Sequence, residues 1–220
     1  MTTPADPCPQ IRRLYALDDG DYGYSAAELA PLHALCGTLP AVLAHYYRTL
    51  GKHRELNHTQ DDLLTPDNAA RQQAPGHLVF YNENQGCCVW GIRHDDLHRA
   101  DPPVWVSEDR QHWQQESATT GAFLLAMAHL QAMFALAYGG DDGFYQLDGT
   151  ARATLERHFR RKPFGFDHWL CGIAIYGNHD SDSIVLLNAG EADTQLKYAS
   201  SDAAHFAAMD AILSGLGEPL

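Results

Sequence analysis

The stretch LVFYNENQGCCVWGIRHDDLHRADPPVWV, from Leu78 to Val106, limits what this chain can fold into more than any other. Two runs rich in apolar, β-branched and aromatic residues, Leu78–Tyr81 and Cys87–Ile92, flank the polar insert Asn82–Gly86. That pattern predicts two adjacent strands joined by a tight turn. A third run, Val104–Val106, follows Asp101-Pro102-Pro103, whose prolines hold the chain extended as it re-enters the sheet. The stretch offers no phosphate-binding loop and no convincing nucleophile–base pair. It reads as scaffold, and scaffold points to recognition.

Helices are expected on both sides of these strands. Ser25-Ala-Ala-Glu28 is a capping box that opens a helix running to about Cys36. From Leu39-Pro40 a second helix places Leu39, Val42, Leu43, Tyr46, Tyr47 and Leu50 at helical spacing, with Gly51 as its stop. Thr59–Leu64 reads as one short helical turn before Pro66. Thr119–Tyr138 is apolar almost all round, interrupted by His129 and Gln131, and Gly139-Gly140 should end it. It has about the length of a bilayer span but is alanine-rich and lacks flanking Lys/Arg anchors, so a central core helix is the better reading. Beyond a turn-rich connection at Asp141–Gly149 come a basic amphipathic helix, Ala151–Arg161, and strand-like runs at Trp169–Tyr176, Ile184–Asn188 and near Gln195–Tyr198. An Ala-rich helix, Ser201–Leu213, follows. Strands and helices without regular alternation predict an α+β fold. The expected form is a mixed, mostly antiparallel sheet, with N-terminal helices and the long apolar helix packed on it. Residues 1–220 are taken as a single domain, in which 141–220 either extends the sheet or builds a small lobe.

Six segments, in order, resemble the SUKH superfamily. They are LPAVLAHYYRTLG (Leu39–Gly51), LNHTQDDLLTP (Leu56–Pro66), LVFYNENQGCCVWGI (Leu78–Ile92), DPPVWV (Asp101–Val106), Trp113 and FLLAM (Phe123–Met127). The match covers residues 39–127. The bacterial members of that superfamily are mostly immunity proteins that neutralise polymorphic toxins, and a fungal member regulates cell-wall synthesis. The resemblance implies a fold and a habit of binding proteins, and no catalytic residue. Tyr81, Asn84, Gln85, Trp90, Asp101, Pro102 and Pro103 then become motif residues with structural roles.

The charge balance narrows the partner. Lys and Arg total 15 against 28 Asp and Glu, a net charge of −13 with neutral histidines. Non-specific nucleic-acid binding depends on neutralising phosphates, so this chain is a poor candidate for it. Acidity suits solubility or a basic partner. From Leu170 onward, seven acids stand against Lys197 alone, while Arg152, Arg157, Arg160, Arg161 and Lys162 form a basic cluster. That cluster serves an acidic partner or phosphate, or more commonly internal salt bridges or a solvated helix face. Cys8, Cys36, Cys87, Cys88 and Cys171 lack C-x-x-C spacing and read as small buried apolar residues in a reducing compartment. MTTPADPCPQ has neither the basic region nor the apolar core of a signal peptide, which suggests the cytoplasm.

Two segments invite a metal. His94-Asp95-Asp96-Leu97-His98 would put two histidines on one helix face, but it follows a strand closely and has no room for a long helix. Gly177-Asn178-His179-Asp180 resembles one motif of the calcineurin-like metallophosphoesterases without that family's D-x-H and G-D-x-x-D partners; Asp141 and Asp142 lack the spacing. A turn with Asn and Gly in left-handed backbone is the simpler reading. No metal, cofactor or catalytic residue is expected. Partner contacts are expected at Glu83, at the later acids Asp180, Asp182, Glu191 and Asp193, and at the early acids Asp18, Asp19 and Asp21. In the Asn82–Gln85 run, Asn84 and Gln85 are expected to satisfy the turn's backbone groups. Trp90, Trp105 and Trp113 are expected in the core. The functional expectation is an immunity protein that binds a cognate toxin, such as a basic nuclease. An intracellular regulator or scaffold of the same superfamily, and a divergent metal-dependent hydrolase using one of the two histidine segments, stand as alternatives. Oligomeric state is left open.

Overall fold

The computed structural model of the chain describes residues 6–140, 143–189 and 193–220. The fold is α+β, and its described strand pairs are all antiparallel. The strands form two sheets, so the later strands do not extend the first sheet, one of the two options the sequence left open; those after Gly139 pair only among themselves and with Tyr138–Gly139. Two compact units result: residues up to Pro9 with Asp19–Leu124, and Gln10–Asp18 with Leu125–Leu220.

In chain order, the first unit's helices begin with α1 (Cys8–Leu14), where the unit boundary falls, and α2 (Ala26–Cys36). The Ser25 hydroxyl accepts the Glu28 N–H and the Glu28 carboxylate accepts the Ser25 N–H, so the capping box forms as read. Helix α3 (Ala41–Leu50) buries Val42, Leu43, Tyr46, Tyr47 and Leu50 on the predicted face. Next come α4 (Arg54–Asn57), β1 (Asp62–Leu63) and α5 (Pro66–Arg71). The helical turn expected at Thr59–Leu64 is instead a bend followed by the two-residue strand β1. Pro66 opens a helix instead of following one, because its missing N–H costs nothing in the first turn, and the Thr65 hydroxyl caps that helix.

The predicted strands appear as β2 (His77–Asn82), β3 (Val89–Arg93) and β4 (Val104–Ser107), joined by β5 (Gln114–Ser117) in the order β1-β2-β3-β4-β5. Strand β5 escaped the sequence pattern because its residues, QQES, are polar, and an edge strand tolerates that. A bulge between Val79 and Tyr81 gives β2 one residue more than β3. Both Phe80 and Tyr81 consequently meet Phe123, at 5.5 and 5.9 Å between ring centres, and Trp90 completes the cluster at 5.8 Å. All four rings are buried. Phe123 comes from α6 (Thr120–Ala135), whose start is fixed by Asp101-Pro102: the Asp101 carboxylate accepts the Gly121 N–H and the Thr120 hydroxyl donates to the Pro102 carbonyl. Asp101, Pro102, Tyr81 and Trp90 thus have structural roles, and Pro103 precedes β4.

The second unit is a sheet in the order β12-β7-β11-β10-β9-β8, with β6 also on β11. Its elements are β6 (Tyr138–Gly139), β7 (Tyr145–Leu147), α7 (Gly149–His158), β8 (Arg161–Phe166), β9 (Ile173–Tyr176), β10 (Asp182–Leu187), β11 (Thr194–Ser200), α8 (Ala203–Leu213) and β12 (Glu218–Pro219). Leu155, Phe159, Tyr176, Ile184, Leu186, Leu196, Tyr198, Met209 and Leu213 lie in its core. Three boundaries differ most from the sequence reading. The strand expected at Trp169–Tyr176 begins only at Ile173, because Trp169–Cys171 forms a 3₁₀ turn. Helix α6 stops at Ala135, before the glycine pair, because Tyr138–Gly139 pairs with Ser200 and Ala199. Helix α7 stops at His158, and Arg161 opens the edge strand β8, where Pro163 is admissible. Asp141 and Asp142 lie outside the described residues.

Candidate functional site

The sheet of the first unit has a polar-aromatic face opposite its core. Side chains alternate along β4: Val104 and Val106 are buried, while Trp105 between them points the other way and is half-buried. Gly91 on β3 makes room for Trp113, since a Cβ there would lie 3.2 Å from the indole ring. Trp113 in turn stacks on His77 at 3.9 Å and 9° between planes. The exposed Arg93 guanidinium lies 4.2 Å over the Trp105 ring, a cation–π contact. Burial, with Arg93 and His94 close by, lowers the His77 pKa and keeps its ring neutral at pH 7. Among the described residues the indole N–H groups of Trp105 and Trp113 have no hydrogen-bond acceptor. The sequence reading assigned both tryptophans to the core. The period-two alternation Val-Trp-Val and the glycine opposite Trp113 were the signals that place them on the outer face.

The β2–β3 turn is organised by carboxylates. Glu83 is 7% exposed, and its Oε2 accepts the backbone N–H groups of Gln85 (2.8 Å) and Cys87 (3.0 Å). Asp61, 1% exposed, accepts the Asn84 N–H. The amides of Asn84 and Gln85 were expected to hold this turn; the acids Glu83 and Asp61 hold it instead, through the backbone N–H groups of Asn84, Gln85 and Cys87. Burial pushes the Asp61 carboxyl up to about 7, with Glu83 and Asp62 adding to the effect against the Asn84 hydrogen bond. The Cys88 thiol behind them is raised by burial and then by Asp61, Glu83 and Glu116, so it stays protonated. Cys8 and Cys88 are buried as expected, Cys36 is half-buried, and Cys87 and Cys171 are exposed.

The acids proposed for partner contact are divided between the two units and stand in different surroundings. Asp18, Asp19, Asp21 and Asp193 are exposed. Asp21 accepts the Gly23 N–H, and Asp193 accepts from Gln146. Asp180 forms an ion pair with Arg13 at 2.6 Å. Asp182 is 1% exposed and accepts the N–H groups of Asn178 and His179, so it builds the turn and presents no surface. Glu191 lies outside the described residues.

Neither histidine segment assembles a metal-ligand trio among the described residues. His94–Asp96 is a single 3₁₀ turn, with His94 and His98 both exposed, so the shared helix face that a metal site would need does not form. Gly177–Asp180 is a turn between β9 and β10, but Asn178 is not left-handed. Its amide instead donates to the His158 carbonyl and accepts from the Arg160 N–H. The His179 ring stacks on His205 at 3.8 Å, and Ser181 Oγ lies 2.7 Å from His205 Nδ1. The described trio with ligand atoms within 4.8 Å of one another is Asp6, Cys8 and His45, which no sequence motif announced. There Asp6 accepts the Cys8 N–H and lies 3.2 Å from His45 Nε2.

In comparisons with protein-family models, curated proteins and solved structures, nothing matches the chain. Among the described residues, no helix is long and apolar enough to cross a membrane.

Proposed function

We propose that this chain is an immunity protein that binds a cognate protein toxin in the cytoplasm and occludes the toxin's active site. The resemblance of residues 39–127 to the SUKH superfamily supplies the class. The observation that carries the reading to a surface is the face of His77, Arg93, Trp105 and Trp113 on the sheet built by those same segments. Tryptophan and arginine dominate binding energy where proteins meet, especially where rigid neighbours hold them in place. Trp113 packed against Gly91 and His77, and Arg93 stacked on Trp105, are held in that way.

The partner's sign follows from the charge. The first unit carries Asp and Glu over Lys and Arg by roughly two to one. Such a field favours a basic toxin, of which a nuclease is the natural example, because nucleases need positive charge to hold their substrate. A stable complex would bury on the order of 1,600 Å², so the footprint extends past the aromatic face onto neighbouring loops. Titrating the purified chain into the toxin encoded beside it is the test. Toxin activity should fall to zero at one chain per toxin. Full activity at a several-fold excess of the chain would refute the reading.

A further inference from the structure

Three cations of the second unit's basic cluster, Arg157, Arg160 and Arg161, line a cleft of about 920 Å³. One wall is the last turn of α7, Glu156 to Phe159; the floor is Arg160 and Arg161 at the start of β8; the far wall is Tyr176 at the end of β9 with Asn178 and His179. The walls are tied together. The Asn178 amide donates to the His158 carbonyl at 2.9 Å, and the Gly177 N–H donates to the Arg160 carbonyl at 3.0 Å. The Tyr176 hydroxyl donates to Glu156 at 3.1 Å.

The five cations of this stretch divide into two groups. Arg152 pairs with Glu156 and donates to the Ala189 carbonyl, and Lys162 donates to the His179 carbonyl. Those two serve the fold. Arg157 makes one neutral hydrogen bond, to Thr154. Among the described residues Arg160 and Arg161 make no side-chain hydrogen bond or ion pair, and both are exposed. In a chain with 28 acids and 15 bases, unpaired arginines side by side in a tied cleft are the exception to its charge pattern. The helix end accounts for Arg157 and His158, since cations favour a helix C-terminus. It does not account for Arg160 and Arg161, which lie beyond it.

We propose that this cleft binds the phosphate groups of a small molecule, held by Arg157, Arg160 and Arg161. Guanidinium forks match phosphate oxygens in geometry and charge. The cleft's volume falls in the ~300–1,000 Å³ range of small-ligand sites. The acids of the surrounding chain repel a long polyanion, whereas a compact phosphate ligand meets three arginines against one lining acid, Glu156, which Arg152 and Tyr176 already engage. This site is independent of the toxin-binding face, and its failure would leave that reading untouched.

Calorimetry on the full chain at fixed ionic strength tests it, with pyrophosphate, ADP and sulfate as probes. One pyrophosphate or one ADP should bind per chain, and sulfate much more weakly. The Arg160→Gln/Arg161→Gln variant should melt with the parent in the absence of ligand and lose about tenfold or more in affinity. Arg160→Lys/Arg161→Lys should fall between the two, since it keeps the charge and loses the fork. ADP binding well above pyrophosphate would support the site and mark the ligand as a nucleotide. Equal affinities would support it with phosphate alone as the ligand. No binding of either probe, or equal binding by the parent and the glutamine variant, would overturn the proposal.

Discussion

Trp90 and Trp105 lie on neighbouring strands, and the pleat gives them opposite tasks. Trp90 is fully buried against Phe123. Trp90→Ala should destabilise the protein by about 3–5 kcal/mol, as truncation of a buried large aromatic does; thermal or urea unfolding checks this. The buried acids are a subtler matter. Asp61 holds its proton up to about 7 in the folded chain, whereas an unfolded aspartate ionises near pH 4. Between those values the folded state binds the extra proton. The stability this group contributes is therefore complete below about pH 4 and lost as pH rises through 7. Asp61→Asn keeps an acceptor oxygen for the Asn84 N–H and removes the charge. It should stabilise the protein by on the order of 1–3 kcal/mol at pH 8 and by little at pH 4. An equal effect at both pH values would show that burial does not hold this proton. Trp90 was legible because it sits inside an apolar run. Glu83 and Asp61 were not, because nothing local tells a carboxylate that caps a buried turn from one that faces solvent.

The elements most readable from sequence were those whose apolar pattern and end signals agree. Helix α2 has its capping box, α3 its apolar face, and β2, β3 and β4 their dense β-branched and aromatic runs. The edges were unreadable for a physical reason: an edge strand is half-solvated, so QQES in β5 and RKPFGF in β8 carry no strand pattern. The same limit hid the polar-aromatic face, which depends on Trp113 reaching across to His77 from outside any strand. Trp105→Ala removes a half-buried ring from the outer face and should leave the core intact. It should lower the melting temperature far less than Trp90→Ala while weakening toxin binding by about 2 kcal/mol or more. Matched calorimetry and melting curves decide it; a variant that unfolds like Trp90→Ala with unchanged affinity would assign Trp105 to the scaffold alone.

At the scale of the whole molecule the net charge of −13 should act on the rate of encounter. Attraction between exposed charges is screened over about 10 Å at 0.1 M salt, so association with a basic toxin should slow as salt rises. Dissociation should change less, since it reflects close packing. Stopped-flow rates measured from low to high salt check this, and a flat association rate would exclude steering. Among the acids expected at the partner surface, the exposed Asp19, Asp21 and Asp193 present charge to solvent, and the buried Asp182 does not. Asp182→Asn should therefore cost stability with no effect on association, whereas Asp19→Asn/Asp21→Asn should slow association and leave stability unchanged. The most direct measurement of toxin neutralisation is growth: the gene neighbouring this one is expressed in a sensitive host, with and without this chain. Toxin binding predicts that cells die with the neighbour alone, survive with both, and yield the two proteins as one complex. Death in both cases, with the chain expressed and folded and no complex recovered, would contradict it.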